Sequence, residues 1–179
     1  MCAATNHVVT IDEVLENREA RVERQRAMLA RGGSVVSFTV NMPGPVKDNR
    51  DARGIFAAGL EALVAITWGA DFPVLEREEF YLVTGPEALL RFGGDALDIK
   101  RLTVALEAGH LLGRLFDMDV LGTDGRSVSR SELGLPGRMC LLCEEPASVC
   151  GRSRAHTVDE LTGAISRMVS EYAAGVRRV

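Results

Sequence analysis

The segment Leu115-Phe116-Asp117-Met118-Asp119-Val120-Leu121 constrains this chain most, because an extended strand sorts its residues cleanly. Successive strand side chains point to opposite faces, so Phe116, Met118 and Val120 form one apolar face suited to a core. Asp117 and Asp119 fall together on the other face, which Leu115 is expected to share. Aspartate is disfavoured in strands, and two carboxylates about 7 Å apart on one face repel each other unless a cation lies between them. The plain alternative is a solvated strand face that happens to carry two acids.

Around this strand the pattern alternates between helical and extended periods. Thr10 and Glu13 form a capping box, with Ile11, Leu15, Val22 and Leu29 following at helical spacing until Arg31-Gly32-Gly33. Arg18 and Gln25 interrupt that stripe, so this helix is expected to be half buried. Val35 to Val40 reads as a strand leading into the Pro43-Gly44-Pro45 loop. A second helix carries Ile55, Phe56, Gly59, Leu60, Leu63 and Val64 and is expected to stop at Gly69. Phe80 to Thr84 reads as a strand, Gly85-Pro86-Glu87 as the start of a short helix closed by Gly93-Gly94, and Thr103 to Glu107 as another strand. The turn Thr123-Asp124-Gly125-Arg126 predicts a hairpin to a short further strand. Thr157 and Glu160 open a final helix striped by Leu161, Ile165, Met168 and Tyr172. Helices at both ends of a largely antiparallel centre give an α+β domain. Within one 179-residue domain the expected parts are 1–33 (N-terminal helix), 34–137 (catalytic core) and 138–179 (Cys-rich segment and final helix).

Composition narrows the function only by exclusion. A net charge of −4 argues against extended nucleic-acid binding, which needs a basic face. No apolar run approaches the ~20 residues of a membrane span; the longest covers 62–70. The opening MCAATNHVV lacks the features of a signal peptide, so a cytoplasmic protein is expected.

Several side chains surround the aspartate pair as candidates. Hard carboxylate oxygens suit Mg²⁺, which also bridges substrate phosphates. Glu107, expected on the preceding strand, is a third candidate ligand, its alternative being simple solvent exposure. Gly113 and Arg114 offer open backbone and a guanidinium for phosphate. His110 can orient a phosphate, although a lone loop histidine is more often a structural hydrogen-bonder. Lys47 and Arg53 lie near the start of the second helix, where an anion is favoured, yet Asp48 and Asp51 can absorb their charge in surface pairs. Arg138, Arg152 and Arg154 bracket a C-x2-C-x6-C-x5-H run formed by Cys140, Cys143, Cys150 and His156. That run can supply four ligands to tetrahedral Zn²⁺; packed free thiols and a redox pair are the other readings. Cys2 stands apart from the cluster.

Three groups of residues together resemble the holo-citrate lyase synthase family (apo-citrate lyase phosphoribosyl-dephospho-CoA transferase). They are Ser37-Phe38-Thr39 with Pro43-Gly44-Pro45-x-Lys47-Asp48, then Gly113-Arg114-Leu115-x-Asp117-x-Asp119-Val120, then Arg138-x-Cys140-Leu141-x-Cys143-x6-Cys150-x-Arg152-x3-His156. The likeness spans roughly residues 34 to 165, in the family's order and spacing. It implies a nucleotidyltransferase-like fold and an enzyme using 2′-(5″-triphosphoribosyl)-3′-dephospho-CoA. The prosthetic group would pass to a serine of the acyl carrier subunit of citrate lyase, with release of pyrophosphate. By analogy with nucleotidyl transfer, Mg²⁺ held by Asp117 and Asp119 would bind the reacting phosphate, while Arg114, with Lys47, Arg53 and Arg138, would hold the departing pyrophosphate. A transferase serving another carrier, of the malonate decarboxylase type, and a non-catalytic zinc-binding module are the competing readings.

Overall fold

The computed structural model describes residues 4–67 and 72–176; Cys2 and Gly69 lie outside them. Four strands form one antiparallel sheet in the order β2-β3-β1-β4: β1 is Ser34–Val40, β2 Val74–Leu82, β3 Gly85–Phe92 and β4 Phe116–Leu121. The helices are α1 (Ile11–Leu29), α2 (Arg50–Thr67), α3 (Ala96–Gly109), α4 (Ala147–Ser153) and α5 (Val158–Val176). The α+β fold expected from the sequence is therefore present.

The main core lies on one face of the sheet. Val36 and Phe38 of β1, Ala88, Leu90 and Phe92 of β3, and Phe116, Met118 and Val120 of β4 pack there with Ile55, Phe56, Leu60, Leu63, Ile99 and Ile165 of the helices. Phe38 stacks on Phe56 at 5.3 Å between ring centroids and meets Phe116 edge-on at 5.6 Å. Gly59 brings α2 down onto these rings, since a Cβ there would stand 2.5 Å from Phe38. α1 lies on the opposite face, where Met28, Val35, Leu89 and Leu121 make a smaller core.

The capping box of α1 forms as expected, with Thr10 Oγ1 accepting from the Glu13 N–H. Its apolar stripe does not face the protein: Ile11, Leu15 and Val22 are exposed. The face turned to the sheet instead carries Asn17, Arg21, Arg24 and Met28, because three of these reach the buried Glu87 carboxylate on β3.

Three expected elements are corrected. The segment 85–92 is not a helix but β3, paired on both sides by β1 and β2. Pro86 and the helix-forming Glu-Ala-Leu-Leu run suggest a helix locally, and tertiary pairing overrides that preference. Thr103 to Glu107 is not a strand but the last part of α3, whose N-terminus is capped by the Asp95 carboxylate accepting from the Leu97 N–H at 2.8 Å. The hairpin turn at 123–126 returns only as an isolated bridge between Leu121 and Ser127. β2 also begins earlier than the expected Phe80, and its charged residues suit an edge strand.

β4 is the other edge, and four of its outward backbone groups are engaged. The Phe116 N–H donates to the Gly113 carbonyl, and the Met118 N–H donates to Glu107 Oε1 at 3.2 Å. Lys100 Nζ donates to the Met118 carbonyl at 3.0 Å, and the Val128 N–H to the Val120 carbonyl at 2.8 Å.

Candidate functional site

The strand register sets the aspartates. Asp117 pairs with Thr39 and Asp119 with Ser37 on β1, so both carboxylates project from the face opposite the aromatic core. Leu115 does not join them; it precedes the strand in a 3-10 turn and is buried in the main core. Thr39 Oγ1 lies 3.5 Å from Asp117 Oδ2, and Glu87 follows Thr39 in the same cross-strand row. Surrounding protein, and then the negative charge of Asp117, push the Asp119 carboxyl above its ordinary range. Lys100, Arg138 and Arg21 act in the opposite direction on Asp119 without cancelling this.

Glu107 is neither on a strand nor solvent-exposed. It sits in the last part of α3, 2% exposed, with Oε2 on Arg130 and Oε1 on Arg138, both at 2.6 Å. Arg138 extends a second nitrogen to Asp117 Oδ1 at 3.2 Å. One carboxylate thus holds two guanidinium groups, leaving an excess of positive charge beside the aspartates.

A cavity of about 900 Å³ opens from this point between the end of α3 with the following 3-10 turn, the Cys segment and α5. Leu115, Leu141, Leu161 and Ile165 give it apolar walls, while Arg114, Arg130, Arg138 and Arg154 bring positive charge. This volume suits a nucleotide-sized ligand. Gly113 lines it too and permits the chain to cross the end of α3: a Cβ there would lie 2.3 Å from the Glu107 carbonyl oxygen.

The cavity gathers Gly113, Arg114, Glu107, Arg138, Cys140, Cys150 and His156 from the sequence candidates, and Arg138 connects it to Asp117. Arg114 donates to the Met139 carbonyl at 2.8 Å and to that of Cys140, so it also ties the Cys segment to the 3-10 turn. Arg152 is exposed on α4.

Lys47, Arg53 and His110 lie elsewhere. Arg53 forks the fully buried Asp48 carboxylate at 2.6 and 2.8 Å, a stronger arrangement than the surface pair anticipated. Lys47 donates to the Met42 carbonyl; burial, and then the charge of Arg18, lower its pKa. His110 caps α3 with Nδ1 accepting from the Leu112 N–H at 3.0 Å, its ring against Phe116 and Tyr172. Burial lowers its pKa, which favours the neutral ring.

Arg130, Glu87 and the α1 residues Arg21 and Arg24 were missed as parts of this surroundings. Arg130 lies in the loop between the second and third motifs with no pattern to mark it, and nothing local marks Glu87 as buried. The i, i+3 spacing of the two arginines on a helix was the available signal.

A four-stranded antiparallel sheet with flanking helices is consistent with the nucleotidyltransferase-like class of transferases, and Arg138 joins its edge-strand carboxylates to the cavity. A profile of the apo-citrate lyase phosphoribosyl-dephospho-CoA transferases matches residues 9–172. The chain belongs to that family. A protein of that name from Escherichia coli is 40% identical over 172 residues, covering 96% of this chain and 94% of the relative. One from Citrobacter koseri is 43% identical over 159 residues, covering 88% and 87%. No helix among the described residues is long and apolar enough to cross a membrane.

Proposed function

We propose that the Asp117–Asp119 face and the adjoining cavity together carry out the transfer of phosphoribosyl-dephospho-CoA to apo-citrate lyase, the activity for which the family is named. The donor is 2′-(5″-triphosphoribosyl)-3′-dephospho-CoA and the acceptor a serine of the acyl carrier subunit. The serine oxygen forms a bond to the 5″-phosphorus as the bond to pyrophosphate breaks, and the serine proton is released. Such a displacement depends mainly on positioning and charge neutralisation.

The single observation that carries this reading is Arg138, which lines the cavity and touches Asp117 at 3.2 Å. It spans the donor pocket and the carboxylates, where the reacting phosphate would lie. Arg130, sharing Glu107 with it, adds charge for the polyphosphate, and Arg154 approaches from the far wall. The apolar walls exclude water around the pantetheine-bearing part of the donor.

Asp117 and Asp119 fit Mg²⁺: both offer hard oxygens from one face, and burial, then the charge of Asp117, raise Asp119, a penalty that a bound cation would offset. Bound there, Mg²⁺ would neutralise phosphate charge and lower the pKa of the attacking hydroxyl.

Intact-mass analysis of apo-carrier incubated with donor and enzyme, with and without Mg²⁺, tests the reading. Asp117→Asn and Asp119→Asn are each expected to lower transfer at least ~100-fold while remaining folded. Near-normal transfer by either variant, or full transfer in metal-free buffer, would remove the carboxylate–Mg²⁺ mechanism.

A further inference from the structure

The segment from 122 to 163 has almost no core of its own. Across it the buried residues are Cys140 and Cys150, with apolar neighbours such as Leu135, Met139 and Val149 exposed. A stretch of this kind needs a staple to hold a defined shape. Yet its backbone is specifically arranged around the sulfurs. Met139 and Pro146 bridge across a tight hairpin that presents Cys140 and Cys143 at its tip. The Cys140 N–H donates to the Glu145 carbonyl at 2.7 Å, and the Ala147 N–H to that of Arg138 at 2.8 Å. The short α4 brings Cys150 alongside. Arg154, left-handed at φ 50°, then reverses the chain so that His156 returns to the cluster.

The four ligand atoms of Cys140, Cys143, Cys150 and His156 all lie within 4.8 Å of one another. Cys143 Sγ is 3.4 Å from Cys150 Sγ and 3.3 Å from His156 Nε2. Zn–S bonds of about 2.3 Å and a Zn–N bond of about 2.0 Å at tetrahedral angles separate ligand atoms by roughly 3.5–3.8 Å, close to this spacing. The sulfurs are too far apart for a disulfide, whose S–S bond is about 2.05 Å. The Leu142 N–H points at Cys140 Sγ at 3.5 Å, a donor placed for a thiolate.

We propose that Cys140, Cys143, Cys150 and His156 bind one zinc ion as a closed structural site that builds a wall of the cavity. Three sulfurs and one nitrogen complete the tetrahedron and leave no position for substrate, so the metal shapes the protein and takes no part in the transfer. Its effect reaches the site through two links. Arg114 clamps the carbonyls of Met139 and Cys140, and Arg138 stands two residues before the first ligand. The metal thereby fixes the direction from which Arg138 reaches Asp117. Metal binding by these four residues does not depend on which donor fills the cavity.

Full-length protein purified under reducing conditions from zinc-supplemented culture is expected to contain about one zinc per chain by elemental analysis. Exchange with Co²⁺ should produce thiolate-to-cobalt charge-transfer absorption. Chelation should expose the three cluster thiols to a thiol reagent and lower the melting temperature. Cys143→Ser should lose the metal, whereas His156→Cys, which offers four sulfurs, should keep it. If Cys143→Ser does not accumulate, the cobalt spectrum of the unaltered protein decides. A zinc-free folded protein whose thiols react alike with and without zinc would overturn the proposal, as would a Cys143–Cys150 disulfide found by intact mass.

Discussion

Replacing Glu107 by alanine isolates the contact on which the cavity side of the site depends. Its carboxylate accepts from the Met118 N–H at 3.2 Å and from Arg130 and Arg138 at 2.6 Å each. In the alanine variant the buried Met118 N–H loses its partner, at a cost of about 1–3 kcal/mol. Arg130 and Arg138 are 24% and 30% exposed and can turn toward solvent, so each lost pair adds only about 1 kcal/mol. The sum, about 3–5 kcal/mol, matches what removal of one partner from a buried ion pair usually costs. Urea denaturation at neutral pH reads this as a lower midpoint at unchanged slope. Glu107→Gln keeps an oxygen for the Met118 N–H and should lose about half as much. A loss below about 1 kcal/mol in the alanine variant, or equal losses in both, would refute this account of how α3 is joined to β4.

Two further perturbations test neighbouring parts. Gly113→Ala drives a Cβ against the Glu107 carbonyl, and the required shift of the 3-10 turn should cost about 1–3 kcal/mol, seen as a lower melting temperature; an unchanged melting temperature would mean that the crossing is looser than described. Asp48 is opposed by burial but held below the usual carboxylate range by hydrogen bonds from Arg53 and from Thr5. Its stabilising contribution is therefore complete above the unfolded carboxyl's value near ~4 and is lost as pH falls through the depressed folded value. Asp48→Asn should destabilise at neutral pH by an amount that shrinks on acidification, and a pH-independent difference in unfolding midpoint would contradict that assignment.

The parts of the fold that could be read from sequence are those where local pattern and tertiary environment agree. Asp117 and Asp119 alternate with core residues, so their shared face follows from strand geometry. The Thr10 and Thr157 capping boxes and the stripe of α2 are equally local. Reading failed where distant partners decide the conformation. Glu87 to Phe92 has helix-forming residues but two strand neighbours, and α1 turns arginines inward because Glu87 lies beneath them. Thr103 and Val104 suggest a strand by their β-branching, while Asp95 eight residues earlier already fixes the helix. The arginines of the site divide in the same way: composition supplies many of them, but only the ion pairs with Glu107, Asp48 and Glu87 separate those joined to the cavity from those that hold the scaffold.

The engaged outer edge of β4 also restricts how a protein substrate can be met. An open edge strand invites an incoming chain to extend the sheet through backbone hydrogen bonds, a route to both peptide recognition and aggregation. Here Glu107 and Lys100 occupy the two polar groups of Met118, and the Val128 N–H occupies the Val120 carbonyl. A partner approaching from this edge meets a backbone ladder that is largely taken up by the chain itself. Recognition there rests on folded surface and side chains more than on strand addition, and the same contacts hinder β4 from pairing with a second copy of itself.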